Sequence, residues 1–175
     1  MAKPNITHEQ LIQILHYEAE TGIFTWKVDR RSGRDGKGHL IASAGDVAGG
    51  VDIASGYIQL VFAKGRCRGH RLAVFHMTGN WPTGEVDHKN GIRSDNRWGN
   101  LRDVPQHVNK QNLRKARVDS GTGVQGVRWN EERQKFVARV TLGTKQKCVG
   151  HFNTTKDAHQ AYLTAKRQLH AGCTI

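Results

Sequence analysis

Between Val86 and Arg102 the chain reads VDHKNGIRSDNRWGNLR, an Asp87-His88 pair followed by Asn90, Asn96 and Asn100 with Arg93, Arg97 and Arg102 threaded between them. Breaking a phosphodiester requires an attacking water to lose a proton and requires something to neutralise the charge that gathers on the phosphate and the leaving oxygen. A histidine, with an ordinary pKa of roughly 6.5, takes a proton at neutral pH. A carboxylate oxygen such as that of Asp87 is hard and suits magnesium. On an extended segment adjacent side chains diverge to opposite faces, so a local twist or bulge is required to aim Asp87 and His88 at one phosphate.

A second ligand must come from elsewhere, and an amide oxygen suits a hard cation that keeps several waters. Asn109 is the candidate, with Asn112 three residues on as the alternative. Ser94 to Asn100 reads as a turn-rich loop in which asparagine side chains bond to backbone, so Asn100 is expected to steady the site. The arginines attract an anion to the same place; equally, Arg97 and Arg102 pair with Asp95 or Asp103. Taken singly, an Asp-His pair is a polar loop pair and an Asn-Gly step is a turn. Their combination and order carry the argument.

These residues need positioning. Thr7 is placed to cap a helix over about His8 to Glu18, with Gln10 as its capping-box partner. Ile23 to Trp26 follows as a strand, and RRSGRDGKGH, from Arg30 to His39, reads as a mobile basic loop. Asp46 to Phe62 alternates as a small antiparallel sheet, with a hairpin turn at Lys64-Gly65-Arg66. His70 to Met77 has helical spacing closed by Thr78-Gly79, and its His70 and His76 read as packing residues. Val104 to Lys115 is helix-compatible, carries Asn109 and Asn112, and includes His107 within reach of a phosphate. After the charged stretch Arg114 to Gly123, three short strands (Val124 to Trp129, Lys135 to Leu142, Lys147 to Phe152) precede a helix capped around Asn153-Thr154-Thr155. That helix runs to about His170 with the stripe Ala158, Ala161, Tyr162, Ala165 and Leu169.

Composition narrows the partners. Lys plus Arg number 27 against 15 Asp plus Glu, a formal net charge of +12 that favours a polyanion, nucleic acid first. No run approaches the roughly 20 apolar residues needed to span a bilayer, and the N-terminus has no apolar signal core. A cytosolic or nucleoid location, without secretion, is expected. The sequons at Asn5 and Asn153 then carry no meaning. Cys67, Cys148 and Cys173 form no C-x-x-C pair, so they read as reduced, mostly packing residues, and no structural zinc is expected.

The ordered run His70-Arg71-Leu72, Gly79, Pro82, Val86-Asp87-His88, Asn90-Gly91, Asp95-Asn96-Arg97, Asn100-Leu101-Arg102 and Asn109 to Asn112 resembles the phage and intron-encoded HNH endonucleases over roughly Tyr57 to Leu113. The resemblance implies a ββα-metal nuclease core with His88 as general base, Asp87 and Asn109 as ligands of Mg2+ or Mn2+, and Asn100 steadying the loop. The last motif letter is asparagine here, which makes the metal site weaker in charge.

Gly123 to Gly172, through Gly123-Val124-Gln125-Gly126-Val127-Arg128-Trp129, Phe136 to Val140, Val149 to Phe152 and the alanines of the last helix, resembles the ethylene-response-factor (AP-two) DNA-binding domain. It departs at Gln125 and Phe136, usually arginine and tryptophan. The resemblance implies a sheet lying in the major groove, and Arg128, Trp129, Lys135, Arg139, Thr141, Lys145 and Lys147 become candidates for DNA contact, arginine reading guanine edges. Expected overall is an α+β chain: residues 1–56 an N-terminal helix and β extension, 57–113 the nuclease core, 114–122 a basic linker, 123–175 the DNA-binding domain. The expected function is metal-dependent cutting of double-stranded DNA by a monomer or weak dimer. A non-catalytic DNA-binding regulator with a degenerate core is the alternative; an RNA- or ribosome-associated protein explains the charge but not the ordered Asp-His and asparagines.

Overall fold

The structure, a computed structural model, describes residues 6–32, 38–62, 65–113, 115–116, 118–170 and 172–174. The chain is α+β and forms two compact units, residues 1–104 and 105–175.

In the first unit, Thr7 accepts from the Gln10 amide while Gln10 Oε1 accepts from the Thr7 amide, which starts helix α1 (His8–Ile14). The helix stops four residues before the expected end at Glu18. From Leu15 the pattern switches to a period of two, Leu15 and Tyr17 inward and His16 and Glu18 outward, and this makes strand β1 (Leu15–Glu18). It pairs antiparallel with β2 (Ile23–Trp26) across a turn ending at Gly22, φ +74°. The flanks of the expected basic loop are ordered as a hairpin, β3 (Arg30–Arg31) with β4 (Leu40–Ala42), and residues 33–37 lie outside the described ones. A three-stranded sheet follows from β5 (Gly50–Val51), β6 (Ile58–Phe62) and β7 (Gly65–Arg68). Gly65 and Arg66 are therefore strand rather than turn, because Phe62 already pairs with Gly65; Lys64 lies outside the described residues.

Helix α2 (Gly69–Thr78) buries Leu72, Ala73, Val74 and Phe75 and ends at Gly79, φ +72°, whose amide closes on Phe75 O. Its face joins one core with Leu11, Leu15, Tyr17, Phe24, Trp26, Leu60, Val86 and Leu101. Phe75 stacks on Trp81 with centroids 4.2 Å apart. The unit closes with the hairpin β8 (Glu85–His88) and β9 (Leu101–Val104), whose long connection includes a single 3-10 turn at Trp98–Asn100.

The second unit opens with α3 (Gln106–Gln111), shorter than the expected Val104 to Lys115 because Pro105 sets its start and Asn112 its end. Gly172 N donates to Gln111 Oε1, Thr174 Oγ1 to Asn112 Oδ1 and Lys166 Nζ to Leu113 O, so α3 packs as part of the C-terminal unit. The compact division therefore falls before α3, whereas the motifs run on to Leu113. Strands β10 (Val127–Asn130), β11 (Lys135–Leu142) and β12 (Lys145–Phe152) form an antiparallel sheet covered by α4 (Thr155–Leu169), which Thr154 caps. Ala158 and Tyr162 meet Val127, Ala138 and Val140 in its core. The helix stripe differs at its end: Leu169 is exposed and Lys166 buried, its ammonium bonded to Leu113 O at 2.7 Å and lying over the Tyr162 ring. Cys67 is buried, but Cys148 is exposed and so packs nothing, and all three cysteines are free. Among the described residues no helix is long and apolar enough to cross a membrane.

Candidate active site

The β8–β9 register is unbroken from Glu85 to His88, with Asp87 opposite Arg102 and His88 opposite Leu101. No bulge turns the two side chains together; they keep the alternation of a strand. Asp87 meets Arg102 across the ladder, Oδ2 accepting from Nη2 at 2.7 Å and from Nε at 3.0 Å. Arg102 thus pairs with Asp87 and not with Asp103, because cross-strand partners share a face. Asp103 instead accepts from the amides of Thr83 and Gly84. Arg97 does pair with Asp95, at 2.6 Å, and this contact more than any other holds the Asp95 carboxyl down to about 2. Arg93 donates to Ser55 O and lies over the Tyr57 ring, and among the described residues no carboxylate pairs with it.

His88 is 4% exposed. Its Nε2 lies 3.1 Å from Asn96 Oδ1, and its ring meets His70 edge-on at 5.1 Å and Tyr57 at 5.9 Å. Burial lowers its pKa, against the opposing pull of Asn96 and Asp87, so the ring is neutral at neutral pH, the form a general base needs. Asn96 was not a site residue in the sequence reading. Its only signal was membership of the Asp95-Asn96-Arg97 run.

His70 is buried and carries a packing role beside the site, its pKa pushed down to about 3, chiefly by burial and next by His88. Below its ordinary value of roughly 6.5 the unfolded chain takes up a proton that the folded ring refuses. Its contribution to stability is therefore present above that value and lost as pH falls toward 3. Denaturant titrations between pH 7 and 5 are expected to show stability falling by up to about 1.4 kcal/mol per pH unit from this group, with a flatter slope in His70→Gln. His76 and His88 are lowered by the same cause, so the slope diminishes rather than vanishes. An unchanged slope in the variant would remove His70 from the account.

The connection between the strands is built on amides. Asn100 Oδ1 accepts from the Asn90 amide at 3.0 Å, and Asn100 Nδ2 donates to Asn90 Oδ1 at 3.0 Å and to Asp95 O at 2.8 Å. Asn90 Nδ2 in turn donates to Asp95 Oδ2. Removing Asn100 would release both ends of the loop that follows His88.

Asn109 lies on α3, in the second unit, half-buried; His107 is exposed. Asn112 is buried, and its amide oxygen accepts from Thr174 Oγ1 in the C-terminal tail.

On the C-terminal sheet the register divides the expected DNA-contact residues. Val127, Ala138 and Val140 face α4, so Val137, Arg139 and Thr141 face away from it, with Arg128 opposite Val137, Cys148 opposite Arg139 and Gln146 opposite Thr141. Lys147 and Lys145 pair with Val140 and Leu142, and Trp129 pairs with Phe136, on the side of the helix. Arg128, Lys135 and Arg139 thus share one face and Trp129, Lys145 and Lys147 the other; a strand's period of two separates them. Trp129 packs edge-on against Phe136 at 4.8 Å and keeps 40% exposure. Lys135 Nζ donates to Asn153 Oδ1.

Residues 67–111 match the family model of the HNH endonucleases, a stretch that begins in β7 and ends with α3. The matched stretch is similar to the HNH endonucleases, and this supports a nuclease at the level of the family. No curated protein and no solved structure matches the chain.

Proposed function

We propose that the protein is a metal-dependent endonuclease acting on double-stranded DNA, with the cutting site on the β8–β9 hairpin and the C-terminal sheet as its DNA-binding surface. The observation that carries this reading is His88, held neutral and buried inside the stretch that matches the HNH family, next in sequence to Asp87, whose side chain leaves the strand on the other face. His88 accepts the proton of the attacking water. Asn90 and Asn100 fix the loop that sets the ring's surroundings. Arg93, free of a carboxylate among the described residues, attracts the scissile strand's phosphate.

Asp87 would hold the cation, and the HNH resemblance assigns Asn109 of α3 as its second ligand. Their donor set, one carboxylate and one amide oxygen, fits a hard ion such as Mg2+ or Mn2+ that keeps waters and leans on substrate phosphate. When bound, such an ion stabilises the charge developing on the phosphate. Arg102 donates twice to Asp87 Oδ2, so the cation would share this carboxylate with a guanidinium. Asn112 is the alternative ligand, and its amide oxygen accepts from Thr174 Oγ1.

The sequence resemblance of Gly123 to Gly172 to the AP-two domain supports reading the C-terminal sheet as the DNA-binding surface. We place DNA contact on the face of Arg128 and Arg139, where Gln146 and Thr141 add hydrogen-bonding groups. The test is incubation of an end-labelled duplex with the protein: cutting is expected in Mg2+ or Mn2+ and none in EDTA. A duplex that shifts on a gel yet stays intact in every metal would favour the DNA-binding regulator.

A further inference from the structure

Asn96 is 1% exposed and lies in an otherwise exposed turn, which is an unusual place for an amide. Two elements lock it there. On one side the β1–β2 hairpin grips its backbone: Tyr17 Oη donates to Asn96 O at 2.6 Å, and the next turn is tied by Trp98 N to Ala19 O at 2.9 Å. Gly22 approaches so closely that a Cβ there would sit 2.4 Å from the Asn96–Arg97 peptide. On the other side Gly69, at the start of α2, makes room for the amide; a Cβ there would sit 2.6 Å from Asn96 Nδ2. Nδ2 has no hydrogen-bond partner among the described residues, and Oδ1 faces His88 Nε2 at 3.1 Å.

An amide oxygen only accepts, so the ring nitrogen facing it carries the hydrogen and the lone pair is left on Nδ1. From this we infer that Asn96 is a positioning residue, whose side-chain oxygen fixes the tautomer and orientation of His88 so that Nδ1 is the proton acceptor, and that the β1–β2 hairpin is part of the catalytic scaffold because it anchors Asn96. The inference rests on the reading of His88 as general base. It gives the N-terminal extension a role that its sequence does not disclose.

The test combines a spectroscopic readout, which needs no activity, with kinetics. Two-bond 1H–15N correlation of the His88 ring, at about pH 8 where imidazole is neutral, is expected to show the Nε2–H tautomer in the wild-type protein. Asn96→Leu, nearly the same shape without the acceptor, is expected to lose that preference. Its kcat on a duplex should fall roughly 10–100-fold, the usual effect of removing a partner that orients an active group, with KM unchanged. Asn96→Asp keeps the acceptor and should retain both the tautomer and most of the activity, which separates this role from a general need for asparagine in the fold. Tyr17→Phe should lower kcat in the same direction by loosening the anchor. An Nδ1–H tautomer in the wild-type protein, or Asn96→Leu with tautomer and kcat intact, would overturn the inference. An inactive wild-type protein whose His88 shows the Asn96-dependent tautomer would support the positioning and overturn the nuclease reading.

Discussion

His88→Ala is expected to lower the cleavage rate by roughly 10^2 to 10^4-fold, the usual contribution of a positioned general base, while leaving affinity for duplex DNA nearly unchanged. The separation of the two effects follows from the ring's state. Burial keeps it neutral, so it adds nothing to the phosphate attraction that dominates affinity. The substitution leaves Asn96 Oδ1 without its histidine partner, at a stability cost of about 1–3 kcal/mol. The assay is therefore run below the melting range, pairing single-turnover cleavage with a gel shift on the same preparation. Loss of binding alongside activity would make His88 a structural residue.

The second large effect is expected at Gly126. Its φ is +75°, and a Cβ there would lie 2.1 Å from Cδ2 and 2.4 Å from Cγ of Tyr162, a buried residue of the C-terminal core. The left-handed backbone and the overpacked ring together should cost Gly126→Ala about 2–4 kcal/mol. That is a large share of what a unit of this size has to lose, roughly 4–10 kcal/mol. Chemical denaturation should show the C-terminal transition moving sharply to lower denaturant, and duplex affinity should fall with it. Cleavage should fall too, because α3 with Asn109 is tied to the same unit through Gly172 and Thr174. A variant with unchanged stability would mean that Tyr162 does not pack against this turn.

Much of the fold was legible because it rests on local rules. The Thr7 and Gln10 pair announced α1, Gly79 announced the end of α2, and alternating residues announced the three C-terminal strands. The end of α1 was hidden because Leu11, Ile14 and Leu15 satisfy a helical period while Leu15 and Tyr17 equally satisfy that of a strand; pairing with Phe24 and Trp26 decided for the strand. The Arg102 partner depended on register, which places Asp87 and not Asp103 across from it. The separation of Lys145 and Lys147 from the face of Arg139 was hidden because a β-bulge between Ala138 and Arg139 is invisible in the residue types and breaks the simple alternation across strands. Asn96 was hidden for a related reason. Its part is set by which way one amide points from a turn, and spacing holds no direction for a side chain outside regular structure.

The most direct measurement is conversion of supercoiled plasmid by the wild-type protein in Mg2+, in Mn2+ and in EDTA, beside Asp87→Ala. Removing Asp87 also breaks its ion pair with Arg102, so Asp87→Asn runs alongside as the variant that keeps a hydrogen-bond acceptor without the charge. The account predicts metal-dependent formation of open circles or linear product by the wild-type protein, none in EDTA and none with either variant. Intact supercoiled plasmid under every condition, with the DNA still bound, would contradict it.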